Sequence, residues 1–172
     1  MQARDFQGIE AQSHRSGEAL SDVACRYWMP LYRYCRSFTG DGHLAEDAVQ
    51  ETFVRTYRSA AKIEPSKLQA WLFTVARRCC LEIIRKRQRA AVHESASAMM
   101  NSADGGTDGL DAIRDAVASL DAEDREVIYL KHTSGLKCRQ IAEVTGRPLG
   151  TVCSNLARAY KKLRERLESR QR

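Results

Sequence analysis

No apolar run in this chain approaches the roughly 20 residues that a membrane-spanning helix needs. Its first 17 residues also lack the apolar core of a secretion signal, and together these two absences predict a cytoplasmic protein. The six cysteines (Cys25, Cys35, Cys79, Cys80, Cys138, Cys153) form no C-x-x-C pair, which argues against a disulfide framework or a zinc knuckle. Most read as small buried fillers. A metal or redox site assembled in the fold from some of them with His43, His93 or His132 stays open as an alternative. No carboxylate cluster or Cys/His set has catalytic or metal spacing, so the reading is of a protein that is not an enzyme and needs no cofactor and no metal. Internal repeats and strand-like alternation are missing too. What remains is an all-α protein.

Charge is abundant and unevenly spread. The 172 residues carry 28 Lys plus Arg against 22 Asp plus Glu, a formal net charge of +6, which suits a polyanionic partner. Residues 1–89 hold 15 basic and 10 acidic groups, residues 90–109 hold 3 acidic groups and no basic one, and residues 110–172 hold 13 and 9. Two basic modules therefore flank an acidic spacer. That spacer, AAVHESASAMMNSADGGTDG, loses hydrophobic periodicity and reads as a flexible linker. Fully stretched it reaches about 65 to 70 Å, or roughly 20 base pairs of duplex, so the modules could occupy separate sites on one DNA. The predicted organisation is a tail over 1–17, a helical module over 18–89, a linker over 90–109 and a second module over 110–172.

Residues 137–163, KCRQIAEVTGRPLGTVCSNLARAYKKL, outline a helix-turn-helix. Ile141, Ala142 and Val144 supply the inner side of one helix, Gly146 the bend, and Val152 and Leu156 the inner side of the next. The outer face of that second helix is read as Thr151, Ser154, Asn155, Arg158, Lys161 and Lys162, donors for base edges and phosphates in a major groove. An ordinary helical hairpin with a solvated basic face would share this pattern.

The first module reads as three helices. One, from about Glu18 to Phe38, buries Leu20, Val23, Ala24, Tyr27, Leu31, Tyr34 and Phe38, with Pro30 an expected weak point. The second, from about His43 to Ala60, turns Ala45, Ala48, Val49, Phe53 and Tyr57 inward and leaves Asp47, Gln50, Glu51 and Arg58 together outside. The third, from about Lys67 to Arg89, carries Leu68, Trp71, Leu72, Val75, Cys79 and Ile83 at helical spacing. Its other side lines up Arg78, Glu82, Arg85 and Arg89, a ridge suited to a polyanion. Trp71 and Phe73 invite base stacking, but for Trp71 core packing is the simpler expectation.

Three motifs now carry a family resemblance: AEDAVQETFVRTYR (Ala45 to Arg58), LQAWLFTVARRCCLEIIRKRQR (Leu68 to Arg89) and SLDAEDREVIYLKHTSGLKCRQIAEVTGRPLGTVCSNLARAYKKLRERL (Ser119 to Leu167). In order and spacing the chain resembles the bacterial extracytoplasmic function sigma factors. The resemblance implies a promoter-specificity subunit that joins core RNA polymerase through its beta-prime and beta subunits and starts transcription of a signal-responsive regulon. It implies polymerase docking by Asp47, Gln50, Glu51 and Arg55. Recognition and melting of the −10 element would fall to Lys62, Lys67, Arg77, Arg78, Arg85 and Arg89. Recognition of the −35 element would fall to Thr151, Cys153, Ser154, Asn155, Arg158, Lys161 and Lys162, with Ser154 and Arg158 leading. An anti-sigma factor, often membrane-anchored in this family, would cover the docking faces.

Cys153 and Asn155 stand where Lys or Arg is usual on the recognition helix. Arg78 stands where Asn is common and Glu82 where Asp is common, which predicts altered promoter preference. The position of Cys153 also permits a redox-sensing reading. A second class of function remains in view, a repressor or activator that reads duplex operators without polymerase, its first module serving for dimerisation or effector binding.

Overall fold

The computed structural model describes residues 4–60, 63–93 and 108–169, with side-chain surroundings for 21–60, 63–90 and 112–169. The architecture is all-α, with no strand among the described residues. Helix α1 spans Arg4–Thr39, α2 Gly42–Ser59 and α3 Leu68–His93, the last preceded by a short 3₁₀ turn at Pro65–Lys67. Helices α4 (Asp108–Ala118), α5 (Ala122–His132), α6 (Cys138–Thr145) and α7 (Leu149–Ser169) follow. Among the described residues no helix is long and apolar enough to cross a membrane.

Two expectations about α1 need correction. The stretch read as a tail is helical from Arg4 onward. Pro30 lies inside the continuous helix; its missing N–H forfeits one bond, and the burial of Leu31, Tyr34 and Cys35 just beyond it holds the next turn in place. Most of the predicted linker, residues 94–107, lies outside the described residues, as does Lys62.

Local sequence explains where the helices stop and start. Gly40 adopts φ +68°, a left-handed conformation that glycine reaches without a Cβ penalty, and its N–H bonds the Arg36 carbonyl at 2.9 Å to close α1. Asp41 then caps α2, its Oδ1 accepting from the His43 and Leu44 amides at 2.9 and 3.2 Å. Those bonds hold the Asp41 carboxyl below the usual range, the Leu44 amide contributing most.

The first module packs α1, α2 and α3 around Leu31, Tyr34, Val49, Leu72 and Phe73, all essentially sealed from solvent. Aromatic pairs tighten it: Tyr34 meets Phe73 edge-on at 5.3 Å, and Trp28 stacks on Phe53 at 6.0 Å. The second module builds on Val127, Leu130, Leu136, Ile141 and Val152. These two sets belong to one continuous apolar core rather than two. Helix α3 packs against α6, and α1 against α5. The modules abut instead of standing apart.

Candidate nucleic-acid interface

The helix-turn-helix forms where its pattern predicts it. Gly146 ends α6 at φ 69°, and the Val152 amide takes the Pro148 carbonyl at 3.1 Å as α7 begins. Ile141 and Val144 on α6 and Val152 and Leu156 on α7 are buried, so the outer face of α7 is fixed by packing. Thr151, Cys153, Ser154, Arg158 and Lys161 lie on the exposed face, joined by Ala157 and Tyr160.

Asn155 does not. It is 3 % exposed, and its Oδ1 accepts from Arg158 Nη2 at 3.2 Å while its Nδ2 has no partner. The helical turn that aims Val152 and Leu156 inward carries Asn155 with them, and a buried amide cannot reach a base edge. It is therefore removed from the predicted −35 set.

The two cations next to it are tied down. Asp124 at the start of α5 is fully buried, and Arg158 clamps it with Nη2–Oδ1 at 2.6 Å and Nε–Oδ2 at 2.9 Å. Lys162 Nζ donates to the same carboxylate at 3.0 Å and also to Asp121. Arg158 more than any other group holds the Asp124 carboxyl below its ordinary pKa, with Lys162 reinforcing it against the effect of burial. Lys161, paired loosely with Glu165 at 3.9 Å, and the hydroxyls of Thr151 and Ser154 are more available donors.

Cys153 touches Cys138 of α6, and its thiol is pushed up, first by desolvation and then by that neighbour. A sensing cysteine needs thiolate character, which these surroundings oppose. In the first module Cys35 is pushed up by its bond to Cys80 and by burial. Among the described residues no group of three or more His, Cys, Asp and Glu side chains is placed to hold a metal ion.

On α3, Arg78, Arg85 and Arg89 form the expected exposed ridge, with Lys86 and Arg87 beside them. Glu82 interrupts it and is taken up by Arg55 of α2, whose Nη1 and Nη2 reach its two oxygens at 3.1 and 2.8 Å. Lys67 pairs with Glu64 at 2.9 Å on the surface. Arg77 points elsewhere: its Nε donates to Glu126 of α5 at 2.8 Å.

The two aromatics exchange their expected environments. Phe73 is sealed in the core, whereas Trp71 is 36 % exposed. Helix α3 is packed by α1, α2 and α6 at once, which widens its buried arc to take in Phe73, Ala76 and Cys80 and rotates Trp71 to the margin.

On α2, Asp47 and Gln50 are exposed, while Glu51 is half-buried and bonded to Arg55 Nε at 2.7 Å. The guanidinium of Arg55 is thus shared by two carboxylates within the module, bracing α2 on α3. Two apolar groups share this surface, Val54 at 42 % and Tyr57 at 48 % exposure. Tyr57 was expected inside. Val54 is one turn on from Gln50 and Glu51, and only its position in the patch, not its residue type, could have flagged it.

Residues 26–90 match Sigma-70 region 2, and residues 110–163 match Sigma-70, region 4. The ECF RNA polymerase sigma factor SigL of Mycobacterium tuberculosis is 38 % identical over 146 residues, covering 80 % of this chain and 82 % of that protein. The chain belongs to the ECF sigma factors. As such it is an alternative specificity subunit for transcription initiation, without catalytic chemistry of its own. Solved structures agree on the fold of this sigma factor. It resembles RpoE in complex with the anti-sigma factor NepR from Bartonella quintana, with a TM-score of 0.68 and 29 % identity over 86 % of this chain and 97 % of that one. It resembles CnrH in complex with the cytosolic domain of CnrY with a TM-score of 0.64 and 25 % identity, over 89 % and 90 %.

Proposed function

We propose that this sigma factor works in the cytoplasm, docking on core polymerase through α2 and dividing promoter recognition between α3 and α7. The docking patch combines Asp47 and Gln50 with the exposed Val54 and Tyr57. An interface whose centre is apolar and whose rim is charged suits a stable but exchangeable partner. Arg55 supports that patch from behind through Glu51 and Glu82 rather than reaching the partner directly.

On this reading α3 meets the melted −10 strand with Arg78, Arg85 and Arg89 as phosphate contacts and Trp71 as a stacking surface. Base stacking on an aromatic contributes about 1 to 3 kcal/mol, enough to offset much of the unstacking cost. Thr151, Ser154 and Lys161 on α7 meet the −35 groove, with Cys153 and Ala157 small enough to let the helix approach closely. Arg158 acts first as the brace on Asp124. RpoE is in complex with the anti-sigma factor NepR and CnrH with the cytosolic domain of CnrY, and their likeness to this chain supports an anti-sigma factor as its regulator. Covering α2 would block docking.

The observation that carries this reading is the joint presence of a patterned α2 face, a basic α3 ridge and a helix-turn-helix in one chain. A polymerase-independent repressor would need only the last. Electrophoretic mobility shift on a promoter fragment separates the two: tight specific binding is expected with core polymerase present and weak binding without it. Tight specific binding by the chain alone would favour the repressor.

A further inference from the structure

The basic ridge of α3 carries an opposing charge in its middle. Arg78, Glu82, Arg85 and Arg89 follow one another at steps of four, three and four residues, so each lies about a turn from the next along one exposed face. Glu82 is the one acidic residue between Arg77 and Arg89. Its side chain is 54 % exposed, and a bare carboxylate there would stand among the groups that meet a phosphate backbone. Side chains at this spacing start about 5 to 6 Å apart, inside the Debye length of about 10 Å at 0.1 M salt. A phosphate drawn to Arg78 or Arg85 would be repelled by Glu82 at the same time.

Arg55 answers that charge from the neighbouring helix. Its Nη1 and Nη2 donate to the two oxygens of Glu82 at 3.1 and 2.8 Å, while its Nε donates to Glu51 at 2.7 Å. The guanidinium is thus held at three points, a two-bond fork to the ridge and a tether to its own helix. A lysine ammonium, being a point charge, could not reproduce the fork. Arg55 more than any other group holds the Glu82 carboxyl below its ordinary pKa, and Arg85 and Arg78 add to this. Glu82 is therefore ionised at neutral pH and lies within the field of both ridge arginines.

We propose that Arg55 is a positioning residue for the −10 contact: by neutralising Glu82 it lets Arg78, Arg85 and Arg89 act as one continuous phosphate-binding surface. This rests on the reading of α3 as the −10-facing element. A plain brace between α2 and α3 would use the same bonds, and the two roles differ in sign. If the pair only holds the helices together, losing either partner weakens DNA binding alike. If Arg55 masks Glu82, losing Arg55 weakens binding, whereas losing the Glu82 charge strengthens it and leaves the Arg55 cation beside the ridge.

The test compares wild type, Arg55→Ala, Glu82→Gln and the double variant, each as the full chain assembled with core polymerase and isolated as holoenzyme. The probe is a fluorescent fork-junction DNA whose single-stranded segment carries the −10 non-template sequence of a promoter mapped by run-off transcription. At low salt Arg55→Ala is expected to weaken binding about fivefold, Glu82→Gln to tighten it about twofold, and the double variant to return to wild type or beyond. All these differences should shrink as salt rises and screens the exposed charges. Weaker binding in both single variants would overturn the proposal, as would wild-type affinity in both or a double variant no better than Arg55→Ala. If Arg55→Ala does not assemble, Glu82→Gln decides alone: tighter binding supports the masking role, and unchanged or weaker binding refutes it. A wild-type holoenzyme that neither binds the fork nor starts a transcript removes the −10 reading of α3 and this proposal with it. A competent wild type whose variants lack the opposite signs removes only the proposal.

Discussion

Arg158 illustrates how a residue's neighbours change what it can do. From its position on α7 it should donate two bonds to a guanine edge, but both its Nε and Nη2 are committed to Asp124. Removing it leaves a fully buried carboxylate with Lys162 as its remaining charged partner. Arg158→Ala is therefore expected to destabilise the second module, because a buried carboxylate loses hydrogen bonds, as a lowered midpoint of urea unfolding. A double change with Asp124→Asn should recover part of that loss; purely additive losses would mean that the clamp contributes nothing. The same carboxylate gives an acid dependence. Its folded pKa lies below the unfolded value near 3.8, so its contribution is fully present above that value and is lost as pH falls through the lowered folded pKa. Asp124→Asn should flatten the acid limb of a stability-against-pH curve, and an unchanged limb would refute this.

At the scale of the helix, α2 turns one face to the core and leaves another exposed as the proposed docking face, and the two respond differently to substitution. Asp47→Lys together with Val54→Asp changes only exposed side chains. The pair should leave the melting temperature near wild type while weakening capture by core polymerase at least tenfold, about 1.4 kcal/mol. Unchanged capture would remove α2 from the docking face. Gly146 is the hinge of the helix-turn-helix. Space for a Cβ exists there, yet φ is +69°, so Gly146→Ala should cost about 1 to 2 kcal/mol from backbone strain alone. These helices were legible in the sequence because repeats of three and four residues, as in Ile141, Val144 and Val152, Leu156, report burial on one side. Trp71 and Phe73 were not, because their fates depend on how many neighbours surround α3. The Asp124–Arg158 and Glu126–Arg77 pairs were equally hidden: they join residues 34 and 49 positions apart, and no periodicity encodes which distant charges will meet.

For the whole molecule, composition revealed two basic modules and a spacer but not that the modules touch. Electrostatics alone would keep two positively charged units apart; the acidic side chains of α5 and α6 and a shared apolar core bring them together. Because that core is continuous, the free chain should unfold in a single cooperative transition, with calorimetric and van't Hoff enthalpies equal. Two resolved transitions would show that the modules are energetically independent. The proposed polymerase-docking surface, the basic ridge and the proposed recognition helix stay on separate elements, so each can fail alone. The most direct measurement is run-off transcription with purified core polymerase on the fragment upstream of this chain's own gene. A discrete transcript that appears only when the chain is added, and disappears with the Asp47→Lys, Val54→Asp variant, is the predicted result. Equal transcription with and without the chain across genomic promoter fragments would contradict the account.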